Sequence, residues 1–300
     1  MNRYALVEGL AAVAVAIACL VFQLWLPSTH VTDADYETLA KVMAAEALPG
    51  DGVLLYPWWT ERARRFLPEG VQVTGYLGSD RDPLELHPRV WLVSQPSLPR
   101  SDVSSFMKDF GPGRTEVGGE RRFGNLSLRL FQNGRYRPVR FSATEALARA
   151  AVYLEQPDGS RQPCQWNGVS HQCPNRFEVK TEWHELRYVP RRCVHFNPPG
   201  GSAKLVAEFT HVPAAESLAM VGGLIWEHAV HQGPQFSTTT LTLEVNGAVT
   251  QLPLPPGTDG LQRAPAERTP DDATVRVTVS ASNPASRETC FELYAFGGAP

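Results

Sequence analysis

The chain has little that would hold a nucleic acid or a phosphate. No run of Lys or Arg is longer than a pair, and 28 basic residues against 31 acidic ones leave a formal net charge of −3. A nucleic-acid-binding surface needs a clustered basic stripe, so that class of partner is excluded. The nearest glycine cluster, GPGRTEVGG from Gly111 to Gly119, follows a helix-like segment rather than a strand and lacks the third glycine of a dinucleotide fingerprint. Backbone N–H groups cannot close on a pyrophosphate there, and no cofactor is expected. A G-x-S-x-G elbow is missing, and so is any C-x(2–4)-C knuckle. The first absence removes a hydrolase-type serine nucleophile, the second the usual structural zinc module.

One long apolar run is present. From Gly9 to Leu26 (GLAAVAVAIACLVFQLWL) only Gln23 is polar, and at about 1.5 Å per residue the run would extend roughly 27 Å, against a bilayer core of about 30 Å. Tyr4 and Trp25 stand near its ends, Arg3 precedes it, and Asp33, Asp35 and Glu37 follow before the first downstream lysine, Lys41. A cleaved signal peptide would have a shorter core and a small-x-small site, whereas this run ends in QLWLP. The sequence therefore predicts an uncleaved single-pass anchor over residues 1–30 in the cytoplasmic membrane, N-terminus inside and the rest outside.

Cys19 falls within that run, leaving Cys164, Cys173, Cys193 and Cys290 on the exported side, where disulfides form and persist. Three pairings are available to four cysteines; the preferred set joins Cys164 to Cys173 across CQWNGVSHQC and Cys193 to Cys290. Zinc held by Cys164, His171 and Cys173 is the weaker alternative, and no metal is expected.

Three hundred residues fit about two domains. Residues 32–133 read as a small doubly wound α/β domain: a capped helix after Thr32, the all-apolar strand Val53–Tyr56, a helix TERARRFL from Thr60, strands at Val71–Thr74 and Val90–Val93, a helix SDVSSFMKDF, and a closing hairpin across Gly124-Asn125. Residues 134–176 form a linker with a short helix and the disulfide loop. Over 177–300 short alternating runs separated by Gly/Pro turns, with Asn246-Gly247 as the sharpest hairpin signal, predict a β-sandwich of jelly-roll type.

Ligands of α/β sheets sit beyond the C-terminal strand ends, which points to Trp58 and Trp59 as a binding rim or a set of packing residues. A loop end combining Trp226, His228 and Arg287 could bind a saccharide by stacking and polar contacts. His228 and His231 have H-x-x-H spacing, but on a strand they face opposite sides and cannot clamp a metal. Trp183-His184-Glu185 and Arg191-Arg192 read as ordinary sandwich surface. No catalytic residue is identified.

The stretch "LPGDGVLLYPWWTERARRFL" with "RVWLVSQP" resembles the extracytoplasmic tail of bacterial GT-C glycosyltransferases of the protein mannosyltransferase type. "CQWNGVSHQC", "RRCVHFNPPGG", "LVAEFTHVP", "LTLEVNG" and "CFELYAF" are similar to the galactose-binding-like β-sandwich of exported glycan-associated proteins. The resemblance implies a non-catalytic extracytoplasmic protein, glycan-binding or accessory to envelope glycosylation machinery. The many membrane helices and acidic catalytic motif of GT-C enzymes are absent, so their activity is not carried over. Two rivals are an envelope enzyme working in a cleft between the domains and a structural partner of a multi-pass membrane protein.

Overall fold

The computed structural model describes residues 3–75, 84–96, 103–174, 177–186, 189–225, 237–257, 262–264, 267–283 and 288–298. The chain divides into two compact units, Met1–Gly134 and Arg135–Pro300.

In the first unit the apolar run forms helix α1, Arg3–Thr29. Helix α2, Asp33–Glu46, starts on a capping box in which Thr32 and Asp35 bond each other's backbone N–H, and it buries Tyr36, Leu39 and Met43 along one stripe. The strands are β1 (Gly52–Tyr56), β2 (Gln72–Gly75), β3 (Arg89–Ser94), β4 (Arg114–Phe123) and β5 (Leu126–Asn133), with helix α3 at Val103–Phe110. They make one sheet in the order β2-β1-β3-β5-β4, in which β1 runs parallel to β2 and β3 while β5 runs antiparallel to β3 and β4. Alternation sends Val53, Leu55, Trp91 and Val93 toward the α2 stripe, and Leu54, Val90 and Leu92 toward Phe106 and Phe110 of α3. Both faces are covered, which is why β1 carries no polar residue.

Two expectations are corrected here. Among the described residues no helix is long and apolar enough to cross a membrane. The single-pass anchor, and the membrane as a partner through it, are thus unsupported. The doubly wound α/β fold is also overturned: the chain is mostly β, with 47% strand and 24% helix, and its sheets are those of a β-sandwich protein. Doubly wound layers need α-helical crossovers between successive parallel strands. Here β1 leaves through the 3-10 segment Trp58–Phe66 instead of the expected α-helix, and α3 leads into an antiparallel hairpin.

Asp51 is the polar pivot of this unit. Only 1% exposed, its carboxylate accepts from Leu48 N at 3.0 Å, Arg89 Nε at 2.9 Å, Arg89 Nη2 at 2.6 Å and Trp91 Nε1 at 2.8 Å. Burial raises the Asp51 carboxyl, yet Arg89, the Leu48 amide and Trp91 together hold it below its ordinary value.

The second unit comprises β6 (Val139–Ser142), α4 (Ala143–Ala146), β7 (Ala151–Glu155), β8 (Arg161–Pro163), β9 (Gln165–Trp166), β10 (Ser170–Gln172), β11 (Glu178–Leu186), β12 (Val189–His195), β13 (Lys204–Val212), β14 (Ala215–Leu224), β15 (Thr239–Val245), β16 (Ala248–Leu254), β17 (Gln262–Arg263), β18 (Glu267–Thr269), β19 (Ala273–Ser280) and β20 (Thr289–Phe296). One sheet orders β17-β14-β20-β12-β11-β10-β9, with β18 on β14 and β6 on β20. The other orders β16-β15-β19-β13-β7-β8. Their inner faces share one core that includes Val194, Phe291 and Leu293 from the first sheet and Leu205, Leu241, Val277 and Val279 from the second. Gly222 lets the sheets approach: a Cβ there would collide with the Leu241 side chain.

Disulfides join Cys164 to Cys173 and Cys193 to Cys290, 9 and 97 residues apart in sequence. Cys19 is free and exposed on α1. Structural disulfides of this kind belong to an oxidising, extracytoplasmic setting.

Two outcomes are expected. Because the Asp51 carboxyl titrates lower folded than its unfolded value of about 3.9, its stabilisation is complete above that value and is lost as pH falls through the folded one. Asp51→Asn should cost about 3 kcal/mol at neutral pH and flatten the acid limb of a urea-unfolding series taken from pH 7 to pH 3. Removing the long-range bridge with paired Cys193→Ser and Cys290→Ser changes should cost about 4–5 kcal/mol by loop-closure entropy, measured in urea against the oxidised parent.

Candidate functional site

The outer face of the larger sheet is polar where its inner face is apolar. On β11 and β12 the register sets Lys180 opposite His195, Glu182 opposite Cys193 and His184 opposite Arg191. On β12 and β20 it sets His195 opposite Cys290. Since side chains alternate, these residues share the face opposite Val179, Val194 and Phe291.

The cluster lies over the buried Cys193–Cys290 bridge. His184 Nε2 stands 2.8 Å and His195 Nδ1 2.9 Å from the same oxygen, Glu182 Oε1. The other oxygen, Oε2, is 3.0 Å from Lys180 Nζ. The two imidazole rings are 5.0 Å apart, although four residues of strand register separate their backbones. Both therefore lean over Glu182. Glu288 Oε2 lies 4.0 Å from the far nitrogen of His195. Burial raises the Glu182 carboxyl, but Lys180 and the two imidazoles hold it below its ordinary value. Burial pushes the His195 imidazole down, against the pull of Glu182. Glu182, His184 and His195 are the described residues whose ligand atoms converge closely enough to hold a metal ion.

Further along the face, Arg191 and Glu292 are nearly completely buried, with Arg191 Nη1 3.6 Å from Glu292 Oε1. Tyr294 donates its hydroxyl to Glu292 Oε2 at 2.9 Å. Burial, with the Glu292 carboxylate beside it, pushes the Tyr294 phenol well above its ordinary range. On the opposite face Trp183, directly across from Arg192, is 63% exposed. Trp166 is 39% exposed and packs its ring against His171 at 4.8 Å.

Trp226, His228 and Arg287 lie outside the described residues, as does His231. Trp58 and Trp59 open the 3-10 segment after β1, where the Trp59 side chain is half-buried. The Cys164–His171–Cys173 zinc alternative is excluded, because both sulfurs are in a disulfide and His171 Nε2 lies 2.8 Å from the Leu147 carbonyl oxygen. The Glu182, His184 and His195 group was missed. Its local trace is the E-x-H alternation of Glu182 and His184, which on a strand places both on one face, but the third member comes from the next strand.

No family model and no curated protein matches the chain. The resemblance to the GT-C glycosyltransferase tail accordingly finds no support. Solved structures with similar stretches include a family 51 carbohydrate-binding module from Clostridium perfringens, described in complex with methyl-galactose, at 9% identity over 43% of this chain and 81% of that one, TM-score 0.27. Another is the CBM22-1-GH10 portion of xylanase 10B from Clostridium thermocellum, described in complex with xylohexaose, at 12% identity over 40% of this chain and 25% of that one, TM-score 0.25. The insecticidal crystal protein Cry2Aa matches at 8% identity over 60% of this chain and 27% of that one, TM-score 0.27. TM-scores this far below 0.5 assign neither family nor ligand.

Replacing Arg191 by Met should strand Glu292 as a buried, uncompensated charge and cost about 3–5 kcal/mol in urea unfolding, while the double change Arg191→Met with Glu292→Gln should recover much of the loss.

Proposed function

We propose that the β-sandwich unit recognises a carbohydrate outside the cytoplasm, as a non-catalytic module serving the glycan or glycosylation machinery of the cell envelope. The observation that carries this reading is Trp183. Its indole is 63% exposed on a strand whose partner, β12, is tied to β20 by a disulfide. A large aromatic held out from a rigid sheet offers a flat apolar face on which the apolar face of a sugar ring can stack, with an N–H at its edge. Arg192, its cross-strand neighbour, brings guanidinium donors suited to hydroxyl or carboxylate oxygens. The two disulfides support an extracytoplasmic setting.

The full-length oxidised protein should bind a subset of a glycan array. Trp183→Ala should weaken that binding by about 10-fold or more, the loss expected for about 1.4 kcal/mol of stacking, with an unchanged thermal unfolding curve. Trp58→Ala and Trp226→Ala serve as controls. A folded protein that binds no glycan, or binds equally well after Trp183→Ala, overturns this reading.

A further inference from the structure

The polar cluster on the outer face is separate from Trp183 and carries its own inference. We propose that Glu182, His184 and His195 bind one zinc-class divalent metal ion, through Glu182 Oε1, His184 Nε2 and His195 Nδ1.

The donor set is two imidazoles and one carboxylate, a combination that zinc accepts with a fourth position left for water or an incoming ligand. Tetrahedral bonds of about 2.0–2.2 Å place ligand atoms roughly 3.3–3.5 Å apart. In this structure the carboxylate oxygen is 2.8 Å and 2.9 Å from the two nitrogens and all three ligand atoms lie within 4.8 Å of one another, so side-chain shifts of about half an ångström or more would form the cage. The side chains are 28%, 15% and 13% exposed, held mainly by protein yet open to an entering ion.

Three observations separate this cluster from an ordinary ion pair. Both ring nitrogens of His195 are buried without an aligned hydrogen bond, although Nδ1 sits close to Glu182 Oε1. Buried polar atoms without partners are uncommon, and a bound ion supplies the missing one. The surrounding groups stand where supporting partners of metal ligands stand. Glu288 Oε2 stands 4.0 Å from the far nitrogen of His195, and Lys180 occupies Glu182 Oε2, leaving Oε1 as a single-oxygen ligand. Finally, Glu178, Glu182, Glu288 and Glu292 outweigh the nearby cations Lys180 and Arg191, so the local charge favours a cation.

The test is a Co2+ titration of the full-length, oxidised, chelator-treated protein, followed by competition with Zn2+. One Co2+ per chain with the visible absorption of a tetrahedral site, displaced by Zn2+, is expected. His184→Ala and His195→Ala should abolish the band, and Glu288→Gln should weaken binding by about 10- to 100-fold. If the alanine variants fail to fold, the parent protein answers by diethyl pyrocarbonate labelling read by mass spectrometry: Zn2+ should protect His184 but not His211, which is 82% exposed. A folded protein without saturable metal uptake, a band that survives His195→Ala, or labelling indifferent to Zn2+ overturns the proposal. None of these readouts involves a glycan, so failure here and failure of carbohydrate recognition are distinguishable.

Discussion

The covalent bond between Cys193 and Cys290 is the constraint around which the second unit is organised. β12 and β20 pair at Val194–Phe291 and His195–Cys290, and the Phe196 N–H donates to the Thr289 carbonyl at 2.8 Å, a short contact for strands nearly a hundred residues apart in sequence. The bridge secures that contact, and through it the larger sheet stays continuous from β14 to β11. Its sulfurs pack with Leu186 and Ile225 in a small apolar cluster on the outer face. The polar residues of β11 and β12 therefore stand on a floor that is covalently fixed and dry, and in such surroundings charged groups interact more strongly than in water.

The two units meet the cost of burying a backbone in different ways. In the first, a five-stranded sheet is covered on both sides, and a single carboxylate, Asp51, anchors Leu48, Arg89 and Trp91 at the sheet's entry edge. In the second, two sheets bury one shared apolar core, and polar groups are displaced to the outer faces. There Glu292 is held between Arg191 and Tyr294, and Arg276 lies among Glu155, Glu208 and Glu244. These outer-face networks occupy positions where an alternating strand would ordinarily meet solvent.

Two surfaces of β11 thus have different characters. Trp183 faces outward from the strand's inner-parity side, whereas Glu182 and His184, its immediate neighbours, converge with His195 on the other. Strand alternation keeps an aromatic surface and an ionisable one within a few ångströms along the chain, yet on opposite sides of the sheet.

What the sequence determined by itself was local. Asn246-Gly247 forms a tight turn between Val245 and Ala248 with both residues at positive φ, because Asn and Gly tolerate that backbone conformation. The alternation in Leu241, Leu243 and Val245 gives a strand with one buried face, and the stripe of Tyr36, Leu39 and Met43 gives a helix with one. Each of these depends on nearest neighbours in the chain. Tertiary structure decided the rest. The helix expected from Thr60 is a 3-10 segment, the first sheet turns antiparallel after three parallel strands, and the chain as a whole is mostly β. Nor could spacing show that His195 would reach Glu182, since they meet diagonally across a pair of strands. Periodicity says which face of a strand a side chain takes; only the pairing register and the covalent bridge say what it meets there.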